Sequence, residues 1–127
     1  MTDAAAFDRW LESYSDAWRS NDGERIGALF TDDAVYRWHP YDDGDDIARG
    51  RDAIVRAWLE EPDDPGSWEL AYERVAVDGD LGVARAVTTY ADTGQGERAY
   101  HNIFLVRLDD EGRCFDFVEY FMRVPDA

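Results

Sequence analysis

In the first part of the chain the apolar residues recur at a helical interval. Phe7, Leu11, Tyr14 and Trp18 fall on one stripe, while Asp8, Arg9, Glu12, Asp16 and Arg19 lie largely elsewhere. Such a stripe predicts an amphipathic helix over residues 4–20. The segment "SNDGE" at 20–24 breaks it and can cap a short second helix carrying Ile26, Leu29 and Phe30. Residues 34–39 read as a strand ended by Pro40, because proline cannot donate to a ladder and holds the residue before it extended. After an acidic loop, a third helix runs from Gly50 to about Glu61 with Ile54 and Trp58 facing inward, until "EPDDPGS" stops it.

The second half has no helical period. It divides into strands at roughly 68–77, 81–92, 97–108 and 113–124, separated by the turn signals "DGD" at 78–80, "TGQG" at 93–96 and "DDEG" at 109–112. Helices followed by an antiparallel meander predict an α+β domain in which three helices cover one face of a curved, mostly antiparallel sheet. At 127 residues the chain is expected to form one domain, 1–127, enclosing a single core and a small cavity.

Charge narrows the partners. The net charge is -16, and all 13 basic residues are arginine. A surface this acidic repels phosphate backbones and anionic membranes, so neither nucleic acid nor membrane is an expected partner. No apolar run reaches membrane-spanning length, and "MTDAAAFDRW" lacks the basic start and apolar stretch of a secretory signal, which makes the cytoplasm the expected location. The run "DDGDD" lacks the ligand spacing and closing glutamate of a calcium loop, so it is read as an acidic loop without metal. A single cysteine, Cys114, allows neither an internal disulfide nor a zinc motif and is read as a packed thiol. No cofactor is expected.

The order of two helices, "LFTDDAVYRWHP", "GRDAIVRAW" and four long strands resembles the NTF2-like superfamily, in particular its SnoaL-like group, over essentially the whole chain. The resemblance implies a cone-shaped sheet closed by helices around an internal pocket, often dimeric through the outer sheet face. Ketosteroid isomerases, one class within it, match from the first helix through "ALFTDDA" and have a pocket tyrosine where this chain has Tyr14. Their catalytic aspartate precedes a proline; with one inserted residue the match is His39 before Pro40. Their second acid corresponds to the region of Phe104, which has none. Epoxide hydrolases of the superfamily resemble the last strand at Glu119, Tyr120 and Phe121, but the arginine and aspartate they need on an earlier strand correspond to Arg85 and Val87.

The last hairpin can be read from its own residues. If "DDEG" is a four-residue loop, Leu108 faces Arg113, and counting back pairs Phe104 with Phe117, Asn102 with Glu119 and Tyr100 with Phe121 on one face. The opposite face carries His101, Ile103, Leu105, Val118, Tyr120 and Met122, and is apolar enough to predict that a second copy covers it as a homodimer.

A carboxylate among Phe104, Phe117, Phe121, Tyr14 and Trp18 would lose hydration, and its pKa would rise toward neutrality. Glu119 is therefore a candidate general acid/base, unless it pairs with Arg85 or Arg37 or satisfies a helix end. His39 is the second candidate, since its unperturbed pKa suits proton shuttling. Alternation sends Trp38 and His39 to opposite faces; the proline-anchored resemblance favours His39 inward, and the pattern Tyr36, Trp38 favours the reverse. Asn102 could polarise a substrate carbonyl or hold Glu119, and Tyr14 could donate to a developing oxyanion or simply be core. Two readings follow. One is a cofactor-free acid/base enzyme of isomerase, cyclase, dehydratase or hydrolase type acting on an apolar or aromatic small molecule. The other is a non-catalytic ligand-binding or dimerisation module.

Overall fold

Aspartate caps set where the first helices begin. Asp3 accepts from the Ala6 amide at 2.7 Å and opens α1 (Ala4–Ser20), while Asp22 accepts from the Glu24 amide at 2.9 Å and opens α2 (Gly23–Gly27). Between them Asn21 takes a left-handed φ of 50°, which ends α1 within "SNDGE". The computed structural model describes residues 3–60, 67–91 and 98–125. The "TGQG" turn and residues 61–66 of "EPDDPGS" lie outside them.

The remaining elements are β1 (Phe30–Arg37), β2 (Ala48–Arg49), α3 (Arg51–Glu60), β3 (Trp68–Asp78), β4 (Leu81–Tyr90), β5 (Arg98–Leu108) and β6 (Cys114–Arg123). They form a six-stranded sheet in the order β2-β1-β6-β5-β4-β3, antiparallel except where β1 lies parallel to β6. The three helices pack on one face of this curved sheet, as the sequence predicts.

Three details differ from the sequence reading. Phe30, expected on the second helix, starts β1 instead, because it is fully buried and pairs with Cys114 across the parallel ladder. β1 then stops at Arg37, before Trp38 and His39. The two-residue β2, paired through Val35 with Arg49 and Tyr36 with Ala48, is too short to leave a sequence period.

The β5–β6 register also moves. Leu108 pairs with Cys114 rather than Arg113, and a bulge then shifts the ladder again so that Val106 faces Phe117, Phe104 faces Glu119 and Asn102 faces Phe121. The two single-residue shifts add to one full pleat, so the faces stay as predicted although every pair changes.

The core joins Phe7, Trp10, Leu11 and Tyr14 of α1 to Phe104, Val106 and Phe117 of the sheet. Helix and sheet come close at Gly82, where an added Cβ would lie 2.6 Å from the Phe7 ring. On the other sheet face His101, Tyr120 and Met122 are exposed, and Ile103, Leu105 and Val118 are half-buried. Among the described residues no helix is long and apolar enough to cross a membrane.

Candidate active site

The inward residues of the sheet and the facing sides of α1 and α3 enclose a cavity of about 430 Å³. Tyr14 and Trp18 enter it from α1 and Trp58 from α3. β4 supplies Thr88 and Tyr90, and β5 presents Arg98, Tyr100, Asn102 and Phe104 at alternate positions. Glu119 and Phe121 come from β6, and Tyr36 and Trp38 from β1 and its end.

Two polar groups in this aromatic wall are positioned by a hydrogen-bonded series. Thr88 Oγ1 donates to Asn102 Oδ1 at 3.0 Å, which turns the Asn102 amide nitrogen toward β6. That nitrogen donates to Glu119 Oε2 at 3.0 Å, across a diagonal of the ladder rather than directly opposite. Asn102 is thus held by Thr88 and in turn holds Glu119.

Burial pushes the Glu119 carboxyl up to about 7. The Asn102 bond and the nearby charge of His39 favour the carboxylate, but they do not cancel the loss of hydration. The arginines that could have neutralised it point the other way: Arg37 lies 3.8 Å from Asp116, and Arg85 pairs with Glu73 on the outer face. Among the described residues Glu119 has no ion-pair partner, and it opens onto the cavity.

A pair of phenols faces the same space. Tyr14 and Tyr36 are both buried, and both stack on Phe117 (centroids 5.8 and 4.3 Å). Burial, and after it the Glu119 charge on Tyr14 and the Tyr14 charge on Tyr36, raise both phenols well above their ordinary value, so both stay protonated. The Tyr14 phenol lines the cavity and keeps a proton that it can donate.

A SnoaL-like domain family profile matches residues 11–117. The chain belongs to the SnoaL-like family. Among solved structures, SalBIII, an epoxide hydrolase/cyclase-like enzyme described in pyran ring formation in the polyether salinomycin, is similar at a TM-score of 0.75 and 16% identity, covering 96% of this chain and 95% of that one. A ketosteroid isomerase-like protein from Erwinia carotovora atroseptica is similar at a TM-score of 0.62 and 22% identity, over 95% and 96% of the two chains. An NTF2-like protein of unknown function from Burkholderia xenovorans is similar at a TM-score of 0.72 and 16% identity, over 97% and 88%. At these identities the likeness establishes the NTF2-like fold alone. No curated protein matches the sequence significantly.

Within this SnoaL-like domain His39 lies beside the cavity rather than in its wall. Asp42 holds it twice, accepting from the His39 amide at 3.0 Å and lying 3.1 Å from Nδ1, and the His39 ring stacks on Tyr41 at 5.0 Å and meets Phe121 at a tilt at 5.1 Å. The inward position belongs to Trp38, whose ring lies 4.5 Å from Tyr36, so the expected inward turn of His39 gives way to the aromatic alternative. Asp42, the first aspartate of "DDGDD", is accordingly not solvated: its side chain is 7% exposed.

Cys114 is buried, its thiol donating to the Asp116 carbonyl at 3.3 Å, and burial pushes its pKa up, away from nucleophilic use. Arg85 and Val87, named by the epoxide-hydrolase resemblance, lie on the outward phase of β4, opposite in phase to Thr88. Among the described residues no cluster of three or more His, Cys, Asp or Glu side chains is placed to hold a metal. Sequence reasoning placed Trp58 and Tyr100 on inward faces without assigning them to the site, and missed Thr88, Tyr90 and Arg98. Continuing the alternation of Phe104, Asn102 and Tyr100 one step back along β5 would have found Arg98.

Proposed function

We propose that this SnoaL-like domain is an acid/base enzyme that moves a proton on a carbon next to a carbonyl group, in an isomerisation or an intramolecular cyclisation. The observation that carries this reading is a buried carboxyl held at about 7, free of any ion pair among the described residues and opening onto a 430 Å³ aromatic cavity beside a phenol pair. A general base is most effective when its pKa lies near the working pH, and burial brings Glu119 to that condition against the opposing effects of Asn102 and His39.

The ionised Glu119 takes the α-proton, and the C–H electron pair moves into the carbonyl to form an enolate. The Tyr14 O–H donates to the enolate oxygen. In an isomerisation of a β,γ-unsaturated substrate the enolate extends into the double bond; the Glu119 proton returns to the γ-carbon, the double bond moves to the α,β position and the carbonyl reforms. In a cyclisation the enolate carbon bonds to a second carbonyl carbon of the same molecule, and the Glu119 proton goes to the new alkoxide. One proton leaves and one returns, so neither sequence requires an electron acceptor. Asn102 and Thr88 act by positioning the carboxylate. Trp18, Trp38, Phe104, Phe117 and Phe121 form or back the apolar walls that exclude water and favour an apolar or aromatic substrate. The glutamate is used as base and then as acid, so His39 is not required as a proton carrier.

The direct test is exchange of the α-hydrogens of 2-tetralone in D2O, followed by proton NMR. Protein-dependent exchange is expected to rise with pH as Glu119 ionises and to level off above about 7. Ligand-induced thermal stabilisation without protein-dependent exchange at any pH would instead favour the binding-module reading.

A further inference from the structure

Arg98 is the one arginine among the described residues lining the cavity. Arg37, Arg51, Arg74, Arg85, Arg107 and Arg113 each lie within ion-pair distance of a carboxylate. Arg98 has no such partner among the described residues; its guanidinium lies over the Tyr90 ring, 5.3 Å from the centroid. Tyr90 pairs with Arg98 across the β4–β5 ladder, and the Tyr100 ring meets that of Tyr90 edge-on at 5.8 Å. The guanidinium thus sits over an aromatic ring, and among the described residues no hydrogen-bond acceptor takes up its donors.

Arg98 shares the inward face of β5 with Asn102, four positions further along. At the rise of an extended strand that separates their backbones by about 13 Å. The cavity therefore has a cationic end at Arg98 and a proton-transferring end at Glu119, with aromatic walls between them. A ligand that fills it would be apolar along its length and anionic at one end.

We infer that the ligand of this pocket is an aromatic or otherwise apolar carboxylic acid, whose carboxylate is bound by Arg98 and whose opposite end lies against Glu119. Only the placement of the reacting end rests on the proposed acid/base reading; the charge preference stands separately. With a net charge of -16 the protein exerts no general attraction on anions, so a preference for a carboxylate must come from a local cation. Arginine is suited to the task because its fork can bond both carboxylate oxygens.

The test compares 2-naphthoate with its neutral counterpart 2-naphthamide, titrated by calorimetry against the wild-type protein, Arg98→Gln and Arg98→Lys, with thermal unfolding of each variant as a folding control. The wild type is expected to prefer the acid by about tenfold or more, as a charge-assisted bidentate contact implies. Arg98→Gln should bind the two nearly equally, and Arg98→Lys should recover part of the preference. Equal affinities in the wild type, no binding of the acid, or a preference that survives in Arg98→Gln would each overturn the inference. The titration reads binding and the tetralone assay reads exchange, so either idea can fail while the other stands.

Discussion

Replacing Glu119 with glutamine is expected to lower protein-dependent α-proton exchange by about a thousandfold, within the range a positioned general base contributes. The substitution preserves shape, and Asn102 Nδ2 can donate to the new amide oxygen as it does to Glu119 Oε2. What disappears is the ability to accept a proton. The fold is expected to survive and to gain resistance to denaturant at alkaline pH. Glu119 has a folded-state pKa of about 7 against an ordinary 4.5, so the folded protein binds the extra proton between those values. Stability contributed by this group is therefore present at low pH and is lost as pH rises through that window. Over the whole interval the loss is about 3 kcal/mol, to which a glutamine is not subject. Denaturant titrations of the two proteins should converge toward acid, diverge as pH rises from 4.5 to about 7, and stay apart above that. Undiminished exchange in the variant would remove Glu119 from the mechanism.

Phe117→Ala is expected to destabilise the fold by about 3–5 kcal/mol, the usual cost of emptying a buried aromatic site. Phe117 has no exposed surface and is in ring contact with Tyr36 at 4.3 Å, Phe104 at 5.5 Å, Tyr14 at 5.8 Å and Trp10 at 6.1 Å. Both phenols stack on it, so truncation removes the surface that keeps the Tyr14–Tyr36 pair in place. Denaturant unfolding measures the first effect, and loss of exchange in the still-folded fraction measures the second. A cost below about 1 kcal/mol would show that the ring is not supporting the cluster.

What the sequence disclosed about this site follows the physics of a period-two pattern. Which of Phe104, Asn102, Phe117, Glu119 and Phe121 face inward depends only on parity, and the two register shifts preserve parity. Which residues sit opposite each other depends on the turn, where Asp109 accepts from the amides of both Glu111 and Arg113 at 2.9 Å and lengthens the loop beyond "DDEG". The bulge near Leu108 leaves no compositional mark. His39 illustrates the opposite case: a proline-anchored resemblance pointed inward, while the simple alternation from Tyr36 to Trp38 proved the better guide and Asp42 held the histidine aside. Thr88 escaped notice because its link to Asn102 crosses the β4–β5 ladder, whose turn offers no register of its own in the sequence. The three-helix, curved-sheet architecture was legible because all three helices lie in the first half of the chain and the four long strands in the second, each with its own period.

We propose that burial holds Glu119 poised for proton transfer near neutral pH. It is tested most directly by following the side-chain carboxyl carbon of Glu119 by NMR as pH is varied, with Glu119→Gln identifying the resonance. The predicted midpoint is about 7, and a midpoint at the ordinary glutamate value of 4.5 would contradict the account.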